Sequence, residues 1–274
     1  MSTMYQNTAT GFDRAAATYD SEEAGNRVLS RMREEHWRWF SRAFKPEARL
    51  LELGCGTGIE AARLAATGRR IALLDVAPRM LEMAAGRVKA VNPETLLGQH
   101  LLPASQMGEL LRIYGKASFD GAYSSFGPLN CEPDLEGVGR GLAQLLKPGG
   151  RLIFSVMPRF CLTEMSWFAL HGEFHNAARR LRGPLMARAL PGEELLVKTF
   201  YYNPREFIRR LGPDFKVIRI KALPLLWPPP YLAYLPGRFP RLFTVLGKTD
   251  NWLTERFPWL APFGDHYLIE LKKL

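Results

Sequence analysis

Between Arg49 and Ala77 the chain reads Arg-Leu-Leu-Glu-Leu-Gly-Cys-Gly-Thr-Gly-Ile-Glu-Ala-Ala-Arg-Leu-Ala and then, beyond Gly68, Ile-Ala-Leu-Leu-Asp-Val-Ala. A short apolar run, Leu50 to Leu53, stops at Gly54, Gly56 and Gly58, after which apolar residues take up helical spacing. That pattern predicts strand, tight loop, helix. Glycines suit such a loop because it takes backbone angles closed to other residues and lets a ligand lie against bare main chain. The free amides of the following helix then face the ligand. A second apolar run, Ile71 to Leu74, ends in Asp75, twenty-one positions after Gly54. A carboxylate at the tip of a second strand can accept both hydroxyls of a ribose, so the stretch reads as a nucleotide-cofactor site.

Spacing separates two cofactor classes. Dinucleotide enzymes place the third glycine five positions after the first; here Gly58 comes four after Gly54. Gly54-Cys55-Gly56-Thr57-Gly58, with Glu52 two residues ahead, resembles the first motif of the class I S-adenosylmethionine-dependent methyltransferases. Phe12-Asp13-x-x-Ala16-x-x-Tyr19-Asp20 resembles the segment that many small-molecule members carry before the glycines, which implies that Tyr19 covers the methionine end of the cofactor. Leu145-Leu146-Lys147-Pro148-Gly149-Gly150-Arg151-Leu152 resembles the family's lead into its fifth strand. Together these motifs cover residues 12 to 156 in the family's order. The fold implied is α/β, a Rossmann-like, doubly wound, seven-stranded sheet with helical insertions after the fifth strand and between the last two strands.

The resemblance implies S-adenosyl-L-methionine as cofactor, held by Tyr19, Glu52, Gly54, Cys55, Gly56, Gly58, Asp75, Val76, Met80 and Ser124. Relatives put an acid just after the third strand, expected here near Thr95 to Leu97; this chain has Gly98-Gln99-His100, so Gln99 and His100 stand in as acceptors for the adenine amino group, with a solvent-facing pair as the alternative. Ser124 to Asn130, after a fourth strand, should border the cofactor, since open parallel sheets bind ligands beyond the carboxyl ends of their strands.

The whole chain reads as one methyltransferase domain: an N-terminal helical segment (1–47), a cofactor-binding core (48–156), a lid insertion (157–195), a return to the sheet (196–223), a second insertion (224–262) and a last strand (263–274). Residues 1 to 10 are expected to fray, with a helix from Glu22 to Arg42. The lid should hold helices around Leu162 to Gly172 and Glu173 to Arg182, then a turn at Leu190-Pro191-Gly192. Its Phe160, Met165, Trp167 and Phe168 are either pocket lining or ordinary core. His171 and His175, four apart in the lid, are the candidates for a general base, against the plainer reading of two histidines on a solvated lid.

Composition narrows the partners. Three widely spaced cysteines, Cys55, Cys131 and Cys161, offer neither a disulfide framework nor metal-ligand spacing, so no metal is expected and a reducing cytoplasm fits. The first residues have neither a basic nor an apolar region of the signal-peptide kind, and no run of apolar residues is long enough for a bilayer. A formal charge of +10 suits nucleic acid, an anionic membrane or an acidic substrate. Twelve Lys/Arg against six Asp/Glu between Met157 and Lys221 gather that excess beside the lid. Aromatics, prolines and arginines in 224–262 suit a substrate wall, a homodimer patch or a peripheral membrane contact.

Two motifs are set aside. Pro228-Pro229-Pro230-Tyr231 resembles the box that holds exocyclic amines in some methyltransferases, but it stands a hundred residues after the place where that box belongs. Cys131 lacks the Pro-Cys pair of cytosine-ring enzymes. The function expected is methyl transfer to an oxygen or carbon nucleophile of a small, hydrophobic or lipid-like metabolite. The alternatives are an RNA methyltransferase using the basic surface and a non-catalytic cofactor-binding subunit.

Overall fold

The computed structural model describes residues 3–188 and 196–274; the Leu190-Pro191-Gly192 turn lies outside them. The chain opens with α1 (Thr3–Glu23) and α2 (Arg27–Ala43), followed by β1 (Arg49–Leu53), α3 (Ile59–Ala65), β2 (Arg70–Asp75), α4 (Pro78–Val91), β3 (Leu96–Leu101), α5 (Leu111–Tyr114), β4 (Phe119–Ser124), α6 (Leu135–Leu145) and β5 (Leu146–Val156). The lid comprises α7 (Leu162–Leu170), α8 (Phe174–Ala177), a 3-10 turn over Arg179–Arg182 and a ribbon of β6 (Leu185–Arg188) and β7 (Leu196–Thr199). After α9 (Pro204–Leu211) and β8 (Phe215–Leu223) come α10 (Tyr234–Arg238), α11 (Pro240–Arg256) and the closing strand β9 (His266–Lys273).

Seven strands form one sheet in the order β3-β2-β1-β4-β5-β9-β8. The five from β1 to β5 run parallel, and β9 is antiparallel to both β5 and β8. Side chains alternate across the pleat. Leu51, Leu53 and Leu74 enter the core on one face, with Leu142 of α6 and Phe207 of α9. Leu50, Ile71 and Leu73 enter the opposite core, with Trp39 of α2, Leu64 of α3 and Leu81 of α4. Strands covered on both faces must be apolar throughout, which is why Leu50 to Leu53 and Ile71 to Leu74 stood out in the sequence.

Strand order reverses between β1 and β4, so the loops leaving these strands diverge and open a crevice at their carboxyl ends. Because β9 runs the other way, its first residue rather than its last lies at that edge: His266 pairs with Leu223 at the end of β8, and Tyr267 with Val156 at the end of β5.

Several expected boundaries move. Residues 3 to 10 are helical, with the Tyr5 side chain buried. The second helix starts at Arg27 rather than Glu22, because Asn26 Oδ1 accepts the amides of Val28 and Leu29 at 3.0 and 3.1 Å; such a cap contributes about 1 kcal/mol. The third strand runs on to Leu101, so Gln99 and His100 lie within it. The fifth begins at Leu146, with Lys147 to Gly150 bulging out between the Phe119–Leu146 and Gly121–Arg151 pairs. Asn203 precedes the Pro204 helix, but its Oδ1 accepts the Arg159 amide at 3.2 Å and makes no cap bond.

Candidate active site

A cavity of about 770 Å³ occupies the crevice. Its floor is the β1–α3 loop. Gly58 has φ of +80°, and a Cβ there would come within 2.6 Å of Ala84 Cα, so helix α4 packs against bare backbone. Gly56, at φ +50°, has no atom within 4 Å of where a Cβ would sit, and it lines the cavity. The first of these glycines lets two elements touch; the second leaves room for a ligand.

Asp75, at the end of β2, accepts the Gly56 amide at 2.9 Å and the Ala77 amide at 3.0 Å, one on each carboxylate oxygen. Each oxygen keeps a lone pair for a further donor. Glu52 lines the same floor, 2% exposed, and its Oε2 has no partner. Burial, then the neighbouring Glu60 carboxylate, pushes the Glu52 carboxyl well above its ordinary range, and burial raises Asp75 as well despite its backbone bonds. This end of the cavity therefore holds two buried acids short of positive charge.

Helix α1 roofs the cavity. Tyr5, Thr8, Phe12 and Tyr19 recur on one helical face and line it. The acids of the same motif dock the helix: Asp13 Oδ1 accepts the Arg79 amide at 2.8 Å, and Asp20 accepts Thr57 Oγ1 at 2.7 Å and pairs with Arg87. At the far end the Tyr5 hydroxyl bonds the Glu132 carboxylate, tying the roof to the loop after β4.

The opposite wall comes from the insertions. Met186, Leu196 and Val197 of the β6–β7 ribbon, Pro229, Pro230 and Tyr231 of the second insertion, and Leu129 and Met157 make it largely apolar. A buried ion network holds it in place. Glu164 of α7 accepts from Arg180 Nε and Nη2, both at 2.9 Å, from Arg179 Nη2 at 2.7 Å and from the Tyr231 hydroxyl at 2.9 Å. Arg180 Nη2 also donates to Asp265 Oδ1 at 2.7 Å, and Asp265 Oδ2 accepts from His266 Nδ1 at 2.9 Å. Burial acts to raise both carboxyls, but Arg180 and Arg179 outweigh it at Glu164, as His266 and Arg180 do at Asp265, and both end below the ordinary range.

Of the residues singled out from sequence, Tyr19, Glu52, Gly54, Cys55, Gly56, Gly58, Asp75, Val76 and Met80 line this cavity. Four others do not. Ser124 is buried behind it, donating to the Leu53 carbonyl at 2.8 Å, and Ser125 takes the place on the wall. Gln99 is exposed on the edge strand, and His100 is engaged by the Tyr114 hydroxyl at 2.7 Å; Leu102 and Ala104, beyond the true strand end, border the cavity instead. His171 and His175 are exposed, the first bonded to the Trp167 carbonyl and the second to Arg182, so neither reaches the cavity as a base. The lid residues Phe160, Met165, Trp167 and Phe168 stay outside the lining as well; Phe168 stacks on Tyr231, with Arg179 over both rings. Cys131 lines the cavity, but burial pushes its thiol up to about 12, which leaves it inert as a nucleophile. His266 and Asp265 were missed because a search for site residues at strand ends passes over the start of an antiparallel strand.

Cys161, Glu164 and Asp265 present ligand atoms within 4.8 Å of one another. With Arg179 and Arg180 already neutralising the two carboxylates, this cluster is an ion network rather than a cation site.

Comparison with known proteins agrees with this geometry. Residues 51–154 match the methyltransferase domain family. The malonyl-[acyl-carrier protein] O-methyltransferase of Serratia marcescens is 31% identical over 178 residues, 62% of this chain and 61% of that protein. The demethylmenaquinone methyltransferase of Tropheryma whipplei is 31% identical over 145 residues, 52% of this chain and 55% of that protein. The matched region thus spans little more than half the length of these relatives. A SAM-dependent methyltransferase of Methanosarcina mazei shares the fold, with a TM-score of 0.56 at 16% identity, covering 86% of this chain and 97% of that one.

S-adenosylmethionine suits the residues present. It is a cation with a ribose, and the floor offers the orphaned Glu52 oxygen, the Asp75 carboxylate and the open face over Gly56. That sheet order, that floor and the match of residues 51–154 to the methyltransferase domain family agree with one another.

Proposed function

We propose that the chain transfers a methyl group to an oxygen or carbon nucleophile of a small, hydrophobic acceptor. The observation that carries this reading is the continuity of one cavity from the Asp75 and Glu52 floor to the apolar wall of Met157, Met186, Leu196 and Val197. The cofactor, when bound, supplies a methyl group already activated on a sulfonium. Glu52 and Asp75 hold the cationic ligand and its ribose, Gly56 lets it approach the backbone, and Tyr19 and Phe12 cover it from the roof. The insertions exclude water and place the acceptor, which is where most of the rate gain of such a reaction lies. The relatives' names, malonyl-[acyl-carrier protein] and demethylmenaquinone methyltransferases, favour an apolar acceptor over RNA.

Calorimetric titration with S-adenosylhomocysteine tests the floor. Tight binding is expected, weakened by roughly 1.5–3 kcal/mol in Asp75→Ala, the range of hydrogen bonds to a charged group. Incubation with methyl-labelled S-adenosylmethionine and a total lipid extract tests the wall, the label being expected in the organic phase. Absence of S-adenosylhomocysteine binding by folded protein would overturn the cofactor reading; binding without label transfer would favour a non-catalytic subunit.

The second insertion supports contact with an anionic membrane. Leu242, Val245 and Trp252 recur on the exposed face of α11, 53, 63 and 62% accessible, with Arg241 and Lys248 on the same face and Trp259 just beyond. Apolar and aromatic residues interleaved with cations suit a lipid headgroup boundary, and Tyr231 joins this surface to the cavity wall. No helix among the described residues is long and apolar enough to cross a membrane. Sedimentation with phosphatidylglycerol vesicles should exceed that with phosphatidylcholine and fall in Trp252→Ala. A dimer that Trp252→Ala dissociates, or an RNA shift without vesicle binding, would replace this surface with the other partner.

A further inference from the structure

His266 is 6% exposed, lines the cavity, and has an Nε2 without a hydrogen-bond partner. That nitrogen lies 3.4 Å from where a Cβ on Gly127 would sit, so it faces the loop that leaves β4 at the cavity. Its other nitrogen, Nδ1, is 2.9 Å from Asp265 Oδ2. An ionised carboxylate only accepts, so Nδ1 carries a hydrogen, and in the neutral ring Nε2 then keeps its lone pair. Asp265 is in turn fixed by Arg180, which donates Nη2 to Oδ1 at 2.7 Å and Nη1 to the backbone carbonyl at 2.9 Å.

We propose that His266 is the general base of this site, taking the acceptor's proton on Nε2, with Asp265 and Arg180 as positioning residues. This rests on the methyl-transfer reading above and narrows its acceptor to one whose attacking atom bears an acidic proton: a phenolic or enolic hydroxyl, or a carbon acid. The acceptor's O–H or C–H bond breaks, the proton passes to Nε2, and the bonding pair stays on the acceptor as the nucleophile. The imidazolium formed lies against the Asp265 carboxylate and returns its proton to water once product leaves. This Asp–His arrangement is the one by which carboxylates elsewhere hold a basic imidazole in its working tautomer.

Charged and titratable groups packed around the ring come from four segments: Asp265 beside it in the chain, Arg180 and Arg179 from the 3-10 turn, Glu164 from α7, and His36 from α2. Glu164, Asp265 and the two arginines cancel in charge. His36 donates Nδ1 to the Met32 carbonyl at 2.8 Å and, held down to about 3 by burial, stays neutral.

The test uses the full chain with S-adenosylhomocysteine bound, its histidines labelled with nitrogen-15, in wild type, His266→Gln and Asp265→Asn. Long-range nitrogen-proton spectra from about pH 5 to about pH 9 should contain one ring, absent from His266→Gln, that is protonated at Nδ1 when neutral and titrates at Nε2. In Asp265→Asn that tautomer preference should be lost. Label transfer to the lipid extract should fall roughly 10²–10⁴-fold in His266→Gln, with S-adenosylhomocysteine binding unchanged, and the acid limb of the wild-type pH profile should vanish. A ring protonated at Nε2 when neutral, or one that does not titrate, would overturn the proposal. So would His266→Gln turning over with the wild-type rate and profile. If wild type binds S-adenosylhomocysteine but transfers no label, the acceptor reading fails, and the tautomer and titration alone decide the dyad.

Discussion

The two ends of the cavity solve the problem of buried charge in opposite ways. At the floor, Glu52 and Asp75 are buried with their carboxyls raised, and Glu132 at the roof's far anchor is raised by burial too. At the insertion wall, Glu164 and Asp265 are equally buried but held low by Arg179, Arg180 and His266. The floor is left to be completed by a cationic ligand; the wall is neutralised before any ligand arrives. On the proposed reading, a site built this way would reserve its electrostatic binding for the cofactor and present the acceptor with an apolar, prearranged surface.

Breaking the wall should have the largest effect. Arg180→Met removes the cation shared by two buried carboxylates and should cost about 3–5 kcal/mol, read by urea unfolding, while S-adenosylhomocysteine still binds whatever remains folded. Equal loss of binding and stability would mean the ends are not independent.

Acid should separate the ends next. Glu164, Asp265 and His36 all have folded pKa values below their unfolded ones. The unfolded chain therefore binds more protons there, and their contribution to stability, present above the unfolded values, is lost as pH falls. For His36 the window runs from 6.5 down to about 3, a loss on the order of 5 kcal/mol by linkage. The raised acids at Glu52, Asp75 and Glu132 have the opposite sign, adding stability that is full below their unfolded values and fades as pH rises through the folded ones. Hydrogen exchange on acidification should thus expose α2, α7 and the start of β9 before the β1–α3 loop. A uniform loss of protection would erase the contrast.

Smaller changes probe how the floor and roof are assembled. Gly58→Ala places a Cβ 2.6 Å from Ala84 Cα at φ +80° and should cost roughly 2–3 kcal/mol through strain and overpacking, with cofactor binding falling alongside. Asp13→Ala removes the acceptor of the Arg79 amide and should cost about 1 kcal/mol, as the loss of a helix cap does. Its readout is protease cleavage within α1, which sharpens the comparison by showing whether the roof opens without the floor.

Legibility followed the same division. Leu50 to Gly58 and Ile71 to Asp75 were readable because strand, turn and helix there are dictated by neighbours a few residues apart. The Phe12 to Asp20 motif was readable too, but the helix it belongs to starts at Thr3, and the spacing of Tyr5, Thr8, Phe12 and Tyr19 was a signal available to a closer reading. Gln99 and His100 were misplaced because β3 is an edge strand, where polar residues are tolerated and the apolar run stops short of the strand's end. His171 and His175 were chosen for residue type and spacing; the structure leaves both exposed and brings His266 to the cavity through the antiparallel direction of β9.

By itself the sequence determined the doubly wound sheet, the glycine loop and the carboxylate at Asp75, because these depend on backbone conformation and local burial pattern. The apolar wall of the cavity was decided only by tertiary structure. Leu129, Met157, Val197, Tyr231 and His266 come from separate segments spread over more than half the chain, and no local periodicity encodes their meeting. They converge because β9 pairs between β5 and β8, and because one buried network from Glu164 through Arg180 to Asp265 holds both insertions against that strand.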